Sequence, residues 1–188
     1  MVTDVIGNGA SNRLYKPTGN YVIACNIPTH GICYNALSII DNKPITWMKN
    51  NKWRPKTTVL CLEATRQYAR KQNIEGDWMA VYERKDRYNA GLHAVEYSTR
   101  HSKEIHLWGF DSMFSQDLTS QMDTLVPRPG RPKLNKWWRP YWQALFLEHS
   151  TTKFVIHIPQ GENCESYPSN VAICEETMDL VEQNHSQA

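Results

Sequence analysis

The sequence has no long apolar run, no C-x-x-C pair and no D-x-D pair, and each absence argues against a class of protein. No stretch approaches the roughly 18 apolar residues of a membrane span, and no basic segment precedes an apolar run at the N-terminus. We therefore expect a cytoplasmic protein without a membrane partner. The five cysteines are an odd number without metal-type spacing, which predicts neither a disulfide framework nor a zinc site. Without D-x-D, no closely spaced carboxylate pair is available to hold a divalent metal, and we expect no metal and no cofactor.

Charge is distributed unevenly along the 188 residues, whose length favours a single domain. The net charge is +2, but no Lys or Arg lies beyond residue 161, whereas six of the 19 acids do. Residues 1–161 therefore carry +8 and are expected to form the catalytic domain. Residues 162–188 form an acidic segment that packs on the same domain or trails it. A basic body with an acidic tail indicates a polyanionic partner, or a tail that shields a basic surface.

Short apolar strands alternate with helical stretches along the chain. Strands are predicted at 4–6, 21–25, 36–40, 57–62, 78–82, 104–108 and 153–158. Helices are predicted at 63–72, 91–99 and 140–149, with a short acidic helix within 170–183 and a further helix at 112–122. This alternation is typical of an α/β fold, here a single Rossmann-like domain with a mostly parallel sheet flanked by helices. Ligands of such sheets bind at the carboxyl ends of the strands.

Two strand-end motifs carry a resemblance to a known family. The segment "DVIGNGASN", followed by "YVIACN", resembles the opening motif of sialyltransferases and their small prokaryotic and phage relatives. The segment "NAGLHAVEYSTRHSKEIHLWGFDS" is similar to the family's second motif, although Ala90 stands where the family has Ser or Thr. His157 and Glu162 have the spacing of a third motif, H-x-x-x-x-E. The three matches occur in family order and cover about a quarter of the chain.

The resemblance implies a metal-independent, inverting glycosyltransferase with a GT-A-like sialyltransferase fold. Its co-substrate would be a nucleotide-sugar, with a pyrimidine nucleotide favoured. His93 is added as a candidate from its place near a helix start. The candidate donor-binding residues are then Gly7, Asn8, Gly9, Ser11, Asn26, Ala90, Gly91, His93 and Gly109. Glycine N–H groups of the first motif can hold a phosphate, and the amides of Asn8 and Asn26 can hold ribose or phosphate oxygens.

Two residues compete for the role of general base, which must take the proton of the acceptor hydroxyl. An imidazole suits this task at cellular pH, so His157, with Glu162 beside it in the motif, is the first candidate. Asp111 is the second, because it also follows a strand, although an aspartate there can instead cap a helix. His93 near a helix start contacts the donor in one interpretation and is an ordinary surface histidine in the other.

Two tracts are rich in bases and tryptophan and contain no acid: residues 43–56 and residues 128–139. Bases neutralise phosphates and exposed aromatic rings stack on nucleobases, so these tracts predict a nucleic-acid partner, with duplex DNA as the candidate. The candidate contacts are Lys52, Trp53, Arg54, Arg128, Arg131, Lys133, Lys136 and Trp137. In contrast, Trp138, Trp142, Leu145 and Phe146 recur at helical spacing and are expected in the core.

The acceptor favoured by this charge pattern is a hydroxymethylated base in DNA of the phage type, modified in the host cytoplasm. Three alternatives remain open at this point. The chain could transfer sugar to a glycan or small molecule, or transfer phosphoryl groups in the manner of pterin pyrophosphokinase-like proteins, or bind nucleotides without catalysis. The oligomeric state is not readable from the sequence.

Overall fold

The computed structural model describes residues 1–28, 31–115, 125 and 136–177. They form one eight-stranded sheet in which every pairing is parallel. The strands are β1 (Val2–Ile6), β2 (Tyr21–Cys25), β3 (Ala36–Ile39), β4 (Thr58–Leu62), β5 (Trp78–Tyr82), β6 (Glu104–Trp108), β7 (Lys153–Pro159) and β8 (Val171–Glu176). The prediction of a Rossmann-like α/β domain with a parallel sheet is confirmed.

Four α-helices flank the sheet in this part of the chain. They are α1 (Asn42–Asn50), α2 (Glu63–Lys71), α3 (Ala90–Thr99) and α4 (Arg139–Glu148), and short 3₁₀ turns lie at 10–14, 111–113 and 136–138. Helix α3 begins where the Asn89 side chain accepts a hydrogen bond from the Leu92 N–H at 2.9 Å. Helix α4 has Pro140 in its first turn, where no N–H partner is needed.

Two apolar layers cover opposite faces of the sheet. On one face, α3 and α4 bury Leu92, Trp142 and Phe146 against Leu107 and Phe154. The opposite face is covered by α1 and α2, which pack on a second group of apolar strand residues. The core prediction is confirmed for Trp142, Leu145 and Phe146, which are fully buried. Trp138 is only partly buried against the same core.

The strand order places the point of chain reversal beside β1. The order is β5-β4-β3-β2-β1-β6-β7-β8, so the chain builds outward from β1 to β5 and then returns to add β6 on the other side of β1. In doubly wound sheets the connections diverge at such a switch point and leave a crevice outside the carboxyl ends of the strands. The segments that follow β1 and β6 therefore border this crevice.

Seven strands and the helices at 63–72, 91–99 and 140–149 lie within two residues of their predicted bounds. The acidic helix predicted within 170–183 is wrong for residues 171–176, which form β8. Parallel pairing with β7 provides backbone hydrogen bonds along one side of this segment and lets Val171 pack against the core. The helix predicted at 112–122 is only a 3₁₀ turn at 111–113, and residues 116–122 lie outside the described residues. The described part of the acidic segment thus extends the sheet of the main domain.

Candidate functional site

The crevice is bordered by two loops, residues 7–12 after β1 and residues 109–111 after β6, here called the switch-point loops. The Gly7 N–H donates to the Trp108 carbonyl at 2.7 Å, and the Gly9 N–H donates to the Gly109 carbonyl at 2.8 Å. A Cβ atom on Gly7 would lie 2.5 Å from the Gly109 carbonyl oxygen, so glycine permits this close approach. The Gly7 N–H thus bonds to the last residue of β6 and the Gly9 N–H to the loop after it, so neither N–H is free to hold a phosphate as predicted.

Asp111 joins the two switch-point loops. Its carboxylate is buried and accepts the Ser11 N–H at 3.2 and 3.3 Å, and it also accepts the Ser11 hydroxyl. A side chain at Gly9 would collide with this carboxylate. The structure thus brings together Ser11, Gly9 and Asp111, which the sequence analysis assigned to the site from motifs about one hundred residues apart. The carboxylate oxygens have further lone pairs beyond those that Ser11 uses.

Asn8 and Asn26 meet at the ends of β1 and β2. Asn26 adopts a left-handed backbone (φ 58°), a conformation that asparagine tolerates better than most residues, and its Nδ2 donates to Asn8 Oδ1 at 2.8 Å. Asn8 Nδ2 in turn donates to the Ile27 carbonyl at 3.4 Å. The Oδ1 atom of Asn26 is buried and has no hydrogen-bond partner among the described residues. An unpaired buried acceptor costs free energy, so this atom is suited to a hydroxyl or amine of a ligand.

The start of α3 supports the crevice by packing. A Cβ atom on Gly91 would collide with the Phe110 ring, so Gly91 lets the helix approach the loop after β6. The Ala90 carbonyl accepts the Ser38 hydroxyl at 2.8 Å. The contact with Phe110 thus accounts for glycine at position 91 without a ligand, and Ala90 is buried in the core beside it.

His93 is a buried ring of this region and not a surface histidine. It is 2% exposed and stacks on Tyr82, with ring centroids 5.0 Å apart. Burial lowers the pKa of His93 from 6.5 to about 4. The folded protein therefore holds a neutral imidazole at neutral pH.

This buried histidine predicts a loss of stability in mild acid. Below pH 6.5 the unfolded chain binds a proton at His93 that the folded chain does not bind until about pH 4. Because the pKa of His93 is lower in the folded protein than in the unfolded chain, its contribution to the free energy of unfolding is complete above pH 6.5. That contribution is lost as the pH falls towards 4. We expect His93 to account for at most about 3 kcal/mol of this loss. Urea unfolding at pH 7 and 4.5 measures the change in the free energy of unfolding between the two pH values. This change should be smaller for His93→Phe than for wild type. The exposed-residue control His101→Gln should retain the wild-type difference.

His157 is enclosed within the sheet. Its Nδ1 lies 2.7 Å from Glu176 Oε1, and its Nε2 lies 2.8 Å from His106 Nδ1. The residue is 6% exposed and its ring stacks on Trp108. Burial lowers the pKa of His157, and the hydrogen bond to Glu176 opposes that shift. A general base needs a nitrogen directed at the substrate, and both nitrogens are engaged here. Glu162, the other residue of the third motif, is exposed in the loop after β7.

The predicted acceptor residues lie at different edges of the sheet. The segment that joins the end of α1 to the start of β4 contains Lys52, Trp53 and Arg54. It lies at the amino ends of the strands, opposite the crevice. Trp53 also packs against the core with Trp47. Trp137 precedes α4 at the carboxyl edge and is 73% exposed. Arg128, Arg131 and Lys133 lie outside the described residues, as does the side chain of Lys136.

A cavity of about 400 Å³ lies at the carboxyl ends of β3, β4 and β5. Sequence analysis did not identify it. Its wall includes three bases, two acids and two tyrosines: Arg84, Lys85, Arg87, Asp41, Asp86, Tyr68 and Tyr88. Lys85 pairs with Glu96, and Arg87 donates to the Tyr141 hydroxyl at 2.7 Å. The run of charges directly after β5 was the available signal, since polar residues at strand ends of a parallel sheet lie along the ligand-binding edge.

The fold defines the class: an α/β protein of Rossmann-like type, with polar side chains in the loops at its switch point. No helix in the described ranges has the length and apolar character needed to cross a membrane. No protein-family model matches the chain, and neither a curated protein nor a solved structure matches it. Conclusions about activity therefore depend on the geometry of the site and on the motif resemblance.

Proposed function

We propose that this protein is a nucleotide-sugar-dependent glycosyltransferase with a GT-A-like fold variant, acting in the cytoplasm by inversion. One observation carries the proposal: the two motifs that resemble sialyltransferases meet at the switch point, where Asp111 accepts hydrogen bonds from Ser11. Switch-point crevices are where doubly wound sheets bind nucleotides. The convergence of two independent motifs on such a crevice is what a donor site requires.

The residues of the crevice suggest a division of roles. The nucleoside part of the donor contacts Asn26 Oδ1, which has no partner among the described residues, and the side chain of Asn8, which accepts from Asn26 Nδ2. Asp111 takes the proton of the acceptor hydroxyl while the hydroxyl oxygen attacks the anomeric carbon of the donor sugar. The nucleotide leaves with the electron pair of the broken bond. We assign this role to Asp111 and not to His157 because the two ring nitrogens of His157 are already engaged.

A melting-temperature panel with CMP-, UDP-, GDP- and ADP-sugars tests the proposal. Ligand at 100 times its dissociation constant adds about 2.7 kcal/mol of stability. We expect one nucleotide class, a pyrimidine, to raise the melting temperature well above the others. If no nucleotide-sugar and no free nucleotide raises it, the donor-site proposal fails.

The asparagine pair should control donor affinity. Asn8→Ala and Asn26→Ala are each expected to weaken binding of the best nucleotide by roughly 1–3 kcal/mol, because each removes a hydrogen-bond partner from a buried ligand. Calorimetric titration measures the change. Asn20→Ala, before β2 at the opposite edge, is the matched control and should bind as wild type. Equal affinities for all three folded variants would contradict the assignment.

We further propose that the acceptor is a hydroxyl on duplex DNA. The exposed Trp137 ring at the carboxyl edge and the bases of residues 128–136 support this choice. Lys52, Trp53 and Arg54 are not part of the proposal, because they lie at the other edge.

DNA binding should then depend steeply on salt. Each neutralised phosphate contributes a slope of about 0.9 in log affinity against log salt concentration. Replacing Arg128, Arg131, Lys133 and Lys136 by Gln should flatten the slope, whereas the same change at Lys52 and Arg54 should alter it little. Gel-shift titration at several salt concentrations measures both. Absence of DNA binding at low salt would remove the DNA acceptor and leave a glycan or small molecule.

A further inference from the structure

Four polar side chains form a row on one face of β6, β7 and β8. The pairing register sets His157 of β7 directly beside Cys174 of β8. Because side chains alternate along a strand, Glu176 lies on the same face as Cys174. His106 of β6 completes the row on the other side of His157. None of these residues is used in the proposed transfer reaction.

Three atoms of this row converge. His157 Nδ1, Cys174 Sγ and a Glu176 carboxylate oxygen all lie within 4.8 Å of one another. The Nδ1 atom is 2.7 Å and the Sγ atom is 3.4 Å from Glu176 Oε1. Zinc bonds of about 2.0–2.3 Å at tetrahedral angles separate ligand atoms by about 3.3–3.7 Å. The 2.7 Å between Nδ1 and Oε1 is shorter than these separations, so the two side chains would move apart to admit an ion between them.

We propose that His157, Cys174 and Glu176 bind a borderline-soft divalent cation, such as Zn²⁺, with water as the fourth ligand. Imidazole, thiolate and carboxylate are all ligands that Zn²⁺ accepts, and three protein ligands plus water is an established arrangement. Cys174 and Glu176 are both only partly buried on β8, the last strand of the described sheet, so an ion can reach them from solvent. The cation would fasten this edge strand to β7.

The groups around His157 are of the kind that orient a metal-binding histidine. A metal-binding histidine usually donates its other ring N–H to a neighbouring acceptor. Here Nε2 of His157 lies 2.8 Å from His106 Nδ1, and Nε2 of His106 lies 3.0 Å from Glu104 Oε1. The Trp108 ring, stacked at 3.4 Å and 8° from parallel, fixes the plane of the imidazole.

Sequence analysis predicted no zinc site because it searched for closely spaced cysteines. The ligands proposed here come from two strands, and only the register of β7 and β8 brings them together. The proposal is independent of glycosyl transfer. It also assigns the Nδ1 lone pair of His157 to the cation, so that atom cannot act as the base.

Spectroscopic titration with Co²⁺ tests the site in the full-length protein after chelator treatment and reduction. We expect one equivalent to bind, with the near-ultraviolet charge-transfer band of a Co²⁺–thiolate bond, and Zn²⁺ to displace it and raise the melting temperature. Cys174→Ser should abolish the band, and Glu176→Gln should weaken affinity at least tenfold. His106→Ala, which removes the outer-shell partner, should weaken it about 10–100-fold.

Two controls separate this site from adventitious binding. Cys33→Ser removes an exposed free thiol, and His149→Ala removes a member of another group of potential ligands, formed with Glu96 and Glu148. Both should bind Co²⁺ as wild type does. The proposal is overturned if the folded protein gives no thiolate band, if Cys174→Ser retains it, or if Cys33→Ser loses it. Cys174 and Glu176 lie at the sheet edge, so their variants remain informative should His157 variants fail to fold.

Discussion

Replacing Asp111 by asparagine should lower sugar transfer by at least ~10²-fold while leaving nucleotide affinity nearly unchanged. General-base catalysis contributes typically about 10²–10⁴ to a rate, and asparagine cannot take a proton. Asparagine keeps the size of the side chain and one oxygen that can accept the Ser11 N–H, so the switch-point loops should remain joined. The measurement is nucleotide release from the donor identified by the melting panel, followed at saturating donor and acceptor.

Two variants distinguish a catalytic Asp111 from one that only positions the loops. Ser11→Ala removes the hydroxyl that bonds to Asp111 but leaves the carboxylate in place. If Asp111 is the base, Ser11→Ala should lose far less activity than Asp111→Asn. His157→Gln should retain most of the activity in this account. A large loss in His157→Gln with a small loss in Asp111→Asn would instead make His157 the base.

Gly7→Ala should destabilise the protein by about 3 kcal/mol or more and abolish nucleotide binding. The added methyl group would lie 2.5 Å from the Gly109 carbonyl oxygen, which has little room to move because it also accepts the Gly9 N–H. Overpacking in confined sites typically costs about 1–3 kcal/mol, and a clash with backbone belongs at the upper end. Thermal and urea unfolding measure the loss.

Gly19→Ala provides the comparison for this glycine effect. Gly19 has a positive φ of 79°, but a Cβ there meets no atom within 4 Å. Its replacement should therefore cost only the strain of the left-handed backbone, roughly 1–2 kcal/mol. It should also leave nucleotide binding intact. If Gly7→Ala were as mild as Gly19→Ala, the two switch-point loops would not be as close as described.

The strands of this fold were predictable because parallel strands are short, apolar and bounded by polar residues. β8 was not, since its local sequence is acidic and half-exposed, and only pairing with β7 makes it a strand. Helix α1 was missed for a related reason. Its lysines were interpreted as a basic tract, although Asp41 and Pro44 mark a helix start, and only Pro44, Ile45 and Met48 are buried.

The candidate site was predictable only where the motif resemblance indicated that residues far apart in the sequence lie together. The resemblance placed Ser11 and Asp111 in one site, although no local pattern reports a hydrogen bond between residues so far apart. The count of bases in each tract does not show at which end of the strands the tract lies. Lys52 and Trp137 were therefore assigned to the same partner. The partners of His157 were equally invisible, because Glu176 was expected in a helix and His106 had no assigned role.

The position of β1 at the switch point has a consequence for the order of events during synthesis. β1 is made first, yet the neighbour on its second side is β6, with Val2 paired to Glu104. Until that strand has been translated, β1 is an unpaired apolar edge, and the crevice lacks the loop that carries Asp111. Long-range pairings of this kind slow folding because the intervening chain must be closed first. A nascent chain arrested before residue 104 should expose an aggregation-prone edge that a chaperone or the ribosome surface must protect.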